Sequence, residues 1–438
     1  MLCYNITIIN FNSRFLAAST TTRVKFEMKK TQNLLSILVT SLLLTACGGS
    51  SDSSESEQSK PIPQPEQAIS TEGRLVIVDD NVERPNLSLY DLEQEKSIQN
   101  IQLKQPLSGL YASPNNRYAV LMERDQGVVS FYDSGLSLNN GVVTQQTPQL
   151  LNYQLFGAKP THYRAFNSQA AIFYDGDEQQ SSKFDVFKDS DITQKIVASE
   201  KLPKSHHGVA EPRGEMVLST YLPEGATKLS LVKSYQLHGD HFHEEQTLVN
   251  ECPGLHGASS IQNFTAFGCE DGVLLVEQQG QRFADFKLPL DVRIGTVLGN
   301  VKAQNLVGLA STTPDLFIID GAQKTVRQLK WTEQADVQRL KQVYSATGQY
   351  FVLLDSTGTL QIFDAKTWEM KSYPNLLNIS AEQLAKSQLI AHGYLDQVFL
   401  SDPERKEILK IDLATGEVKQ RIQLSTIPAQ IAWVGVSK

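Results

Sequence analysis

Short apolar runs recur along most of the chain, and turn residues separate them at a spacing of about ten residues. The runs combine β-branched, aromatic and leucine side chains, and typical ones lie at 75–78, 118–121, 128–132, 274–276, 316–319 and 350–354. Long helical periodicity is nearly absent, and residues 380–389 form the one candidate helix. Brief apolar runs bounded by turns are typical of strands, so the pattern predicts an all-β fold.

The strands also recur as a longer unit. Each unit opens on small residues, continues through an apolar strand and a turn, and closes on a strand that often ends in Asp; examples are residues 107–133, 294–320, 341–364 and 391–412. Aligning the unit openings gives one column with a mean step of 46 residues: Ser108, His162, His207, His256, Gly295, Gln342, His392 and Gln430. A period of 40–50 residues with four short strands per unit predicts a single β-propeller.

The predicted propeller spans residues 71–438, which divide into eight units of 46 residues. Eight blades are therefore expected, with seven as the alternative if a weak unit near Val292 or Lys341 is misread. Little chain follows Ser425, so the last unit is short. We expect the strands of residues 73–103 to complete it and to close the ring with both ends of the domain in one blade.

The first 70 residues do not fit the repeat. Met28-Lys29-Lys30 is a basic start, residues 34–44 are an apolar run too short to span a bilayer, and Leu44-Thr45-Ala46-Cys47 resembles a bacterial lipobox. We predict an over-extended gene start at 1–27, a lipoprotein signal peptide at 28–46 and a lipidated Cys47. Residues 47–70 are rich in Ser and Pro, which predicts a disordered tether.

Composition and charge narrow the function classes. The chain is 40% hydrophobic and 20% charged, as in ordinary globular proteins, and its net charge is -8 with a pI near 5.6. Removing residues 1–46 removes five basic residues and one acidic residue, so the mature charge is -8 - 4 = -12. No nucleic-acid partner is expected. Membrane attachment would come from the lipid on the periplasmic side of the envelope, and Gly48 after Cys47 favours the outer membrane.

Histidine is the informative residue type. Four of the eight positions in the aligned column are His162, His207, His256 and His392. The innermost strands of a propeller line its channel, so these imidazoles are candidate ligands of one zinc site. The alternative is that each is an ordinary structural histidine. If His207 faces the channel as part of the zinc site, the adjacent His206 should point away from it and either support the site or lie at the surface.

A second cluster has the sequence His238-Gly239-Asp240-His241-Phe242-His243-Glu244. His241 and His243 are two residues apart, so they share a face of an extended chain. With His238 they form a candidate metal loop, supported by Asp240 or Glu244; the alternative is a polar surface hairpin. Histidine ligands must be deprotonated, so metal binding should weaken below about pH 6.

Two further observations bear on the chemistry. Cys252 and Cys269 should form a disulfide outside the cytoplasm, with thiolate ligation of zinc beside His256 as the competing interpretation. No G-x-S-x-G, H-E-x-x-H or P-loop pattern occurs. We therefore expect no enzyme activity and assign no catalytic residue.

Several motifs carry a family resemblance: HHGVA at 206–210, HGDHFH at 238–243, CPGLHG at 252–257, AFGCEDGVLLV at 266–276 and FYDGD after His162. These motifs resemble the AztD family of periplasmic zinc metallochaperones. The resemblance implies a β-propeller that hands Zn²⁺ to the solute-binding protein of a zinc ABC importer. It also implies zinc ligands at the four column histidines, a second site in the HGDHFH loop, and the Cys252–Cys269 bridge.

This chain departs from the family in its predicted lipid anchor and in a tether without histidine. Taken together, the sequence predicts a monomeric zinc-binding metallochaperone lipoprotein. One alternative is a propeller scaffold for outer-membrane assembly, which uses the fold and the anchor but not the histidines. The other is a metal-dependent hydrolase with an open coordination position.

Overall fold

Antiparallel β-sheets make up nearly all of the computed structural model, which describes residues 72–436. The predicted signal peptide, the lipidation site at Cys47 and the tether lie outside the described residues. Two short helices occur in the described range, α1 (Asp189–Gln194) and α2 (Ala381–Lys386). The second helix falls within the predicted segment 380–389, and its N-cap Ser380 accepts a hydrogen bond from the backbone of Gln383. The predicted all-β class is confirmed.

The strands pair into four-stranded units. From the inside outward, unit 1 contains β34 (Pro428–Val434), β1 (Arg74–Asp79), β2 (Asn86–Asp91) and β3 (Lys96–Gln102), and unit 2 contains β4 (Gly109–Ala112), β5 (Tyr118–Glu123), β6 (Val128–Asp133) and β9 (Gln149–Phe156). Unit 3 contains β10 (Pro160–Phe166), β11 (Gln169–Tyr174), β12 (Lys183–Phe187) and β13 (Ala198–Lys201). Unit 4 contains β14 (Ala210–Arg213), β15 (Met216–Tyr221), β16 (Leu231–His238) and β17 (His241–Thr247). A single parallel bridge, Ser199 to His241, joins units 3 and 4 at their outer strands.

The remaining units follow the same order. Unit 5 contains β18 (His256–Ile261), β19 (Phe264–Cys269), β20 (Gly272–Gln279) and β21 (Arg282–Pro289), and unit 6 contains β22 (Ile294–Leu298), β23 (Asn305–Ala310), β24 (Leu316–Asp320) and β25 (Thr325–Leu329). Unit 7 contains β26 (Arg339–Tyr344), β27 (Tyr350–Asp355), β28 (Leu360–Asp364) and β29 (Met370–Tyr373). Unit 8 contains β30 (Leu389–Ala391), β31 (Gln397–Asp402), β32 (Glu407–Asp412) and β33 (Val418–Gln423). Within residues 72–436 this pairing agrees with the eight repeats of the sequence.

The ring closes through the two ends of the domain. Strand β34 pairs antiparallel with β1, so that Arg74 lies opposite Val434 and Val76 opposite Ala432. Unit 1 therefore combines the first three strands with the last one, as the short final repeat predicted. A buried ion pair between Arg74 and Asp91, with an Nε–Oδ2 distance of 2.9 Å, lies at this closure.

The channel is surrounded by the innermost strands β4, β10, β14, β18, β22, β26, β30 and β34, and most neighbouring pairs of them contact each other. They begin at one end of the channel, here called the histidine mouth. They finish at the other end, here called the opposite mouth, where Ala112, Phe166, Tyr344 and Trp433 line a cavity of about 600 Å³. The middle strands are buried because each sheet packs between two neighbours; every residue of β11 is buried.

A two-stranded hairpin interrupts unit 2. Strands β7 (Leu136–Asn139) and β8 (Val142–Gln145) pair with each other between β6 and β9 and form a sheet of their own. Among residues 72–436, no helix is long and apolar enough to cross a membrane.

Candidate metal centre

Three of the four column histidines meet at the histidine mouth. The Nε2 atoms of His162 and His207 are 3.1 Å apart, and those of His207 and His256 are 3.3 Å apart. Within residues 72–436 these three form the one group of three or more His, Cys, Asp or Glu side chains whose ligand atoms all lie within 4.8 Å of one another. Side chains separated by 45 and 49 positions in the sequence are thus brought together.

Local backbone irregularities help to aim these side chains. The pairing register shifts between Pro160 and His162 in β10, and between His256 and Ala258 in β18. Such β-bulges redirect a side chain at the end of a strand and are common beside functional sites. Gly257 has φ +65°, and a Cβ there would lie 2.7 Å from the carbonyl oxygen of Gly295. A glycine is therefore required beside His256.

Hydrogen bonds on the far side of the rings set the tautomers. The Nδ1–H of His207 donates to Asp175 Oδ2 at 3.0 Å, and the Nδ1–H of His256 donates to the carbonyl oxygen of Gly295 at 2.7 Å. Both acceptors lack protons, so each Nδ1 carries the hydrogen when the ring is neutral, and each Nε2 presents a lone pair. Two lone pairs 3.3 Å apart cannot hydrogen-bond to each other, whereas a cation between them would satisfy both.

The spacing fits zinc. At Zn–N distances of about 2.0–2.1 Å, two ligand atoms of a tetrahedral site are separated by about 3.3–3.4 Å. The observed Nε2 separations of 3.1 and 3.3 Å are close to that edge length. Protein side chains would fill three of four positions, because the described residues bring no fourth ligand to this group.

Electrostatics favour neutral imidazole. Burial, followed by the nearby Arg164 and the two other histidines, lowers the pKa of His162 to about 3. Burial alone would raise the pKa of Asp175, but hydrogen bonds from His207, Thr161 and Arg124 bring it below its usual value. Asp175 therefore remains a carboxylate, held by Arg124 at 2.9 Å, and can hold the His207 ring in place.

The prediction for His392 was wrong. The innermost strand β30 ends at Ala391, so His392 follows the strand and lies at the opposite mouth. Its buried ring packs against Trp433, with centroids 4.6 Å apart, and its Nδ1 accepts from the backbone nitrogen of Tyr394 at 3.2 Å. The aligned Ala-His-Gly and Leu-His-Gly motifs thus stand at opposite ends of their strands.

His206 faces away from the ring, as its adjacency to His207 predicted. Its Nδ1 contacts the Lys204 carbonyl oxygen at 3.0 Å, and its Nε2 contacts Thr220 Oγ1 at 3.2 Å. The buried imidazole also packs on Phe173. These contacts make His206 part of the packing of units 3 and 4.

The HGDHFH segment forms the exposed turn between β16 and β17. His241 and His243 point to one side, with Nε2 atoms 3.2 Å apart, and the rings of His238 and His243 are in edge-to-face contact at 4.6 Å. The three rings are thus adjacent on a β-hairpin. We call this group the histidine hairpin.

The two acidic candidates beside the hairpin behave differently. Asp240 Oδ1 lies 3.1 Å from His241 Nδ1, a contact that can orient that ring. Glu244 instead pairs with Lys233 at 2.8 Å, so its assignment to the histidines was wrong. A carboxylate that sequence reasoning missed, Glu200 of β13, accepts from the backbone nitrogen of Phe242 at 3.3 Å.

Cys252 and Cys269 are bonded to each other in unit 5. Both residues are buried, and neither belongs to the three-histidine group. The structure therefore has the disulfide and not the thiolate ligation that was its alternative. The bridge ties the segment leading into His256 to the end of β19.

Two of three comparisons with known proteins found related proteins. A scan against known family models found no match. Zinc chaperone AztD from Citrobacter koseri is 26% identical over 262 residues, which cover 57% of this chain and 59% of that protein. The chain thus spans about three fifths of the length of this curated relative in sequence alignment.

The structure matches that of apo AztD from Citrobacter koseri with a TM-score of 0.68, at 20% identity, covering 83% of this chain and 98% of the other. A second crystal structure of Citrobacter koseri AztD gives the same values. Sqt1 from Chaetomium thermophilum matches with a TM-score of 0.51 at 12% identity, covering 74% and 88% of the two chains.

Fold and site together define a β-propeller with a candidate three-histidine metal centre at one mouth of its channel. The resemblance to the AztD family, predicted from the histidine motifs, is confirmed by both the sequence and the structural comparison.

Proposed function

We propose that this chain is a metallochaperone lipoprotein that holds Zn²⁺ at the three-histidine centre and passes it to the zinc solute-binding protein of an ABC importer. The observation that carries the proposal is the convergence of three imidazole Nε2 atoms at an open channel mouth, two of them with their tautomers fixed from behind. The name of the Citrobacter koseri relative, zinc chaperone, supports the same metal and the same role.

The site is suited to transfer because it is incomplete and accessible. Three neutral imidazoles bind Zn²⁺ firmly, while the fourth position stays free for water or for a ligand of the acceptor. His207 is exposed, so an acceptor side chain can approach the ion from outside. Zinc would then move by replacing one ligand at a time, and no covalent bond of a substrate changes. The proposal therefore includes no enzyme activity.

The histidine hairpin is proposed as a second, weaker zinc site. His238, His241 and His243 are exposed, and their rings are adjacent on one turn. Exposure costs affinity, because mobile solvent-facing ligands must be ordered when the metal binds. This site would collect or exchange zinc, while the three-histidine centre stores it.

The location of the protein forms part of the proposal. The lipobox-like sequence ending at Cys47 supports attachment to the periplasmic side of an envelope membrane, with the outer membrane favoured. Within the described part of the chain, the Cys252–Cys269 disulfide supports an oxidising compartment. A domain tethered there could load zinc and meet a periplasmic acceptor.

The open fourth position also favours a second candidate, a metal-dependent hydrolase. Three histidines and a bound water are the ligand set of several catalytic zinc sites. Such an enzyme needs a proton acceptor beside the water. Asp175, the carboxylate that contacts His207, is already engaged through Oδ2 with both His207 and Arg124. The chaperone therefore explains the arrangement better.

Metal content of the purified protein, with chelator competition, tests the proposal. A His207→Ala/His256→Ala variant should lose its tightly bound zinc, and a His238→Ala/His241→Ala/His243→Ala variant should lose only the weak site. His392→Phe is the matched control and should retain both. Zinc-loaded wild type should transfer its metal directly to a purified zinc solute-binding protein. A chelator that captures zinc released into solution should therefore not prevent the transfer.

Three results would oppose the proposal. Stoichiometric tight zinc in the double variant would remove the three-histidine centre. Absence of zinc together with binding to outer-membrane assembly proteins would favour the scaffold. Zinc-dependent ester or phosphoester hydrolysis, lost in the double variant, would favour the hydrolase.

A further inference from the structure

The β7–β8 hairpin of unit 2 has no role in the function proposed above. It lies in residues 134–158, which contain no Asp, Glu, Lys or Arg; this run is longer than any other in the sequence, and the next longest is 31–51. In a chain that is 20% charged, about five charged residues would be expected over that length. The uncharged hairpin is therefore an outlier on the surface of an acidic protein.

The tip of this hairpin is exposed and partly apolar. Every residue from Leu138 to Val142 is exposed, with Leu138 at 44% and Val142 at 61%. Leu150, the second residue of the strand after the hairpin, is 41% exposed. Surface strands and turns in soluble proteins normally carry charges that prevent association, and this segment carries none.

The hairpin stands beside the point at which the N-terminal part of the chain joins the propeller. Tyr118, at the start of β5, pairs with Asp133, so β6 ends at the opposite mouth and the hairpin emerges there. Strand β1 begins at the same mouth, because Arg74 pairs with Val434. The two features are in direct contact, since Arg74 Nη1 donates a hydrogen bond to the carbonyl oxygen of Ser134 at the hairpin base.

We propose that the β7–β8 hairpin is a lipid-contact element that rests on the membrane to which the protein is anchored. The proposal rests on the lipid anchor at Cys47 put forward above. Cys47 precedes Glu72 by 25 residues, so an anchored lipid would keep the start of the propeller domain within about 80 Å of the bilayer, at about 3.3 Å per residue. The high local concentration makes even a small apolar contact effective.

The absence of charged residues from the hairpin favours a membrane over a docking protein or a second copy of this chain as its partner. A docking protein that recognises an acidic domain would be expected to use its charges, and this segment offers none to pair with. A second copy could pair through the hairpin, but the two mature chains, each carrying a net charge near -12, would repel each other. A lipid surface accepts Leu138 and Val142 without requiring charge, and the Asn139-Asn140-Gly141 turn can remain hydrated among the headgroups.

The contact fixes an orientation. The opposite mouth would face the bilayer, and His162, His207 and His256 would face away from it, at the other end of the channel. The metal centre would then be presented to the aqueous compartment, where a soluble acceptor can reach it.

Site-specific fluorescence on the full-length lipoprotein tests the proposal. An environment-sensitive fluorophore is attached to an Asn140→Cys variant, and a Gln179→Cys variant, on an exposed loop at the histidine mouth, is the matched control. Both proteins are reconstituted on neutral phosphatidylcholine vesicles with bilayer-embedded quenchers. We expect a blue shift and strong quenching at position 140 and neither at position 179. Adding Leu138→Asp and Val142→Asp to the position-140 variant should abolish both changes.

The outcomes separate this proposal from the anchor itself. Sedimentation of a Cys47→Ser variant reports the anchor, and vesicle binding by that variant equal to that of wild type would contradict attachment through Cys47. If vesicle binding requires Cys47, yet the labelled Asn140→Cys protein shows a water-like spectrum on vesicles, the hairpin contact alone is overturned. A blue shift that grows with protein concentration without vesicles would overturn it in favour of a second copy.

Discussion

The sharpest single perturbation of the metal centre is the loss of Asp175. This carboxylate binds no metal in our account; it accepts a hydrogen bond from the Nδ1–H of His207 at 3.0 Å and is held by Arg124 at 2.9 Å. Its task is to fix the tautomer and the direction of the His207 ring. An Asp175→Asn variant keeps an acceptor without the charge, and Asp175→Ala removes both.

Loss of such an outer hydrogen bond typically weakens metal binding by about 10–100-fold. We expect Asp175→Asn to fall near the lower end and Asp175→Ala near the upper end, which correspond to about 1.4 and about 2.7 kcal/mol of binding free energy. Zinc affinity is measured by competition with a chromophoric chelator at pH 7.

Asp133→Asn is the matched control. Asp133 has the same 6% exposure as Asp175 and also pairs with an arginine, Arg117, at 2.8 Å, but it lies at the opposite mouth. Its substitution should lower stability and leave zinc affinity unchanged. If Asp175→Ala binds zinc within about twofold of wild type, the inference that Asp175 orients His207 is refuted.

Three further predictions concern pH, backbone and disulfide. Burial lowers the pKa of His392 from 6.5 to about 3, so between these pH values the unfolded chain binds a proton that the folded chain does not. Below about pH 6.5 the free energy of unfolding of zinc-free protein should therefore fall by up to about 1.4 kcal/mol per pH unit because of this residue. Urea titrations of a His392→Phe variant should show a flatter dependence on pH. Gly257→Ala should lower both Tm and zinc affinity because its Cβ would meet a neighbouring carbonyl, whereas Gly280→Ala, with a similar φ but open space, should affect Tm alone. Replacing Cys252 and Cys269 by Ser should cost about 3 kcal/mol in denaturant unfolding for the 17-residue separation, and no loss would argue that the bridge constrains little.

Much of the fold could be predicted because its determinants are local. Short apolar runs bounded by turn residues specify strands, and a repeat near 46 residues specifies how many strands make a unit. Closure of the ring could also be predicted from the sequence, because the last repeat is too short and residues 73–103 can supply its missing strands. Strand β34 indeed pairs with β1.

The candidate site was predictable only in part, because register is decided by tertiary packing. Motif alignment placed His392 with the other histidines, but β30 is three residues long and ends before it. The β-bulges beside His162 and His256 depend on pairing with the next strand and leave little trace in sequence. Asp175 was missed as a functional residue because its contact with His207 spans 32 positions, although it lies in the FYDGD motif.

The most direct test of the central claim is an anomalous difference map from crystals of zinc-loaded protein, collected at the zinc absorption edge. We expect one strong peak about 2.0–2.1 Å from the Nε2 atoms of His162, His207 and His256, with a fourth ligand that is not a protein side chain. A map with no peak between these three atoms, in protein shown to contain tightly bound zinc, would contradict it.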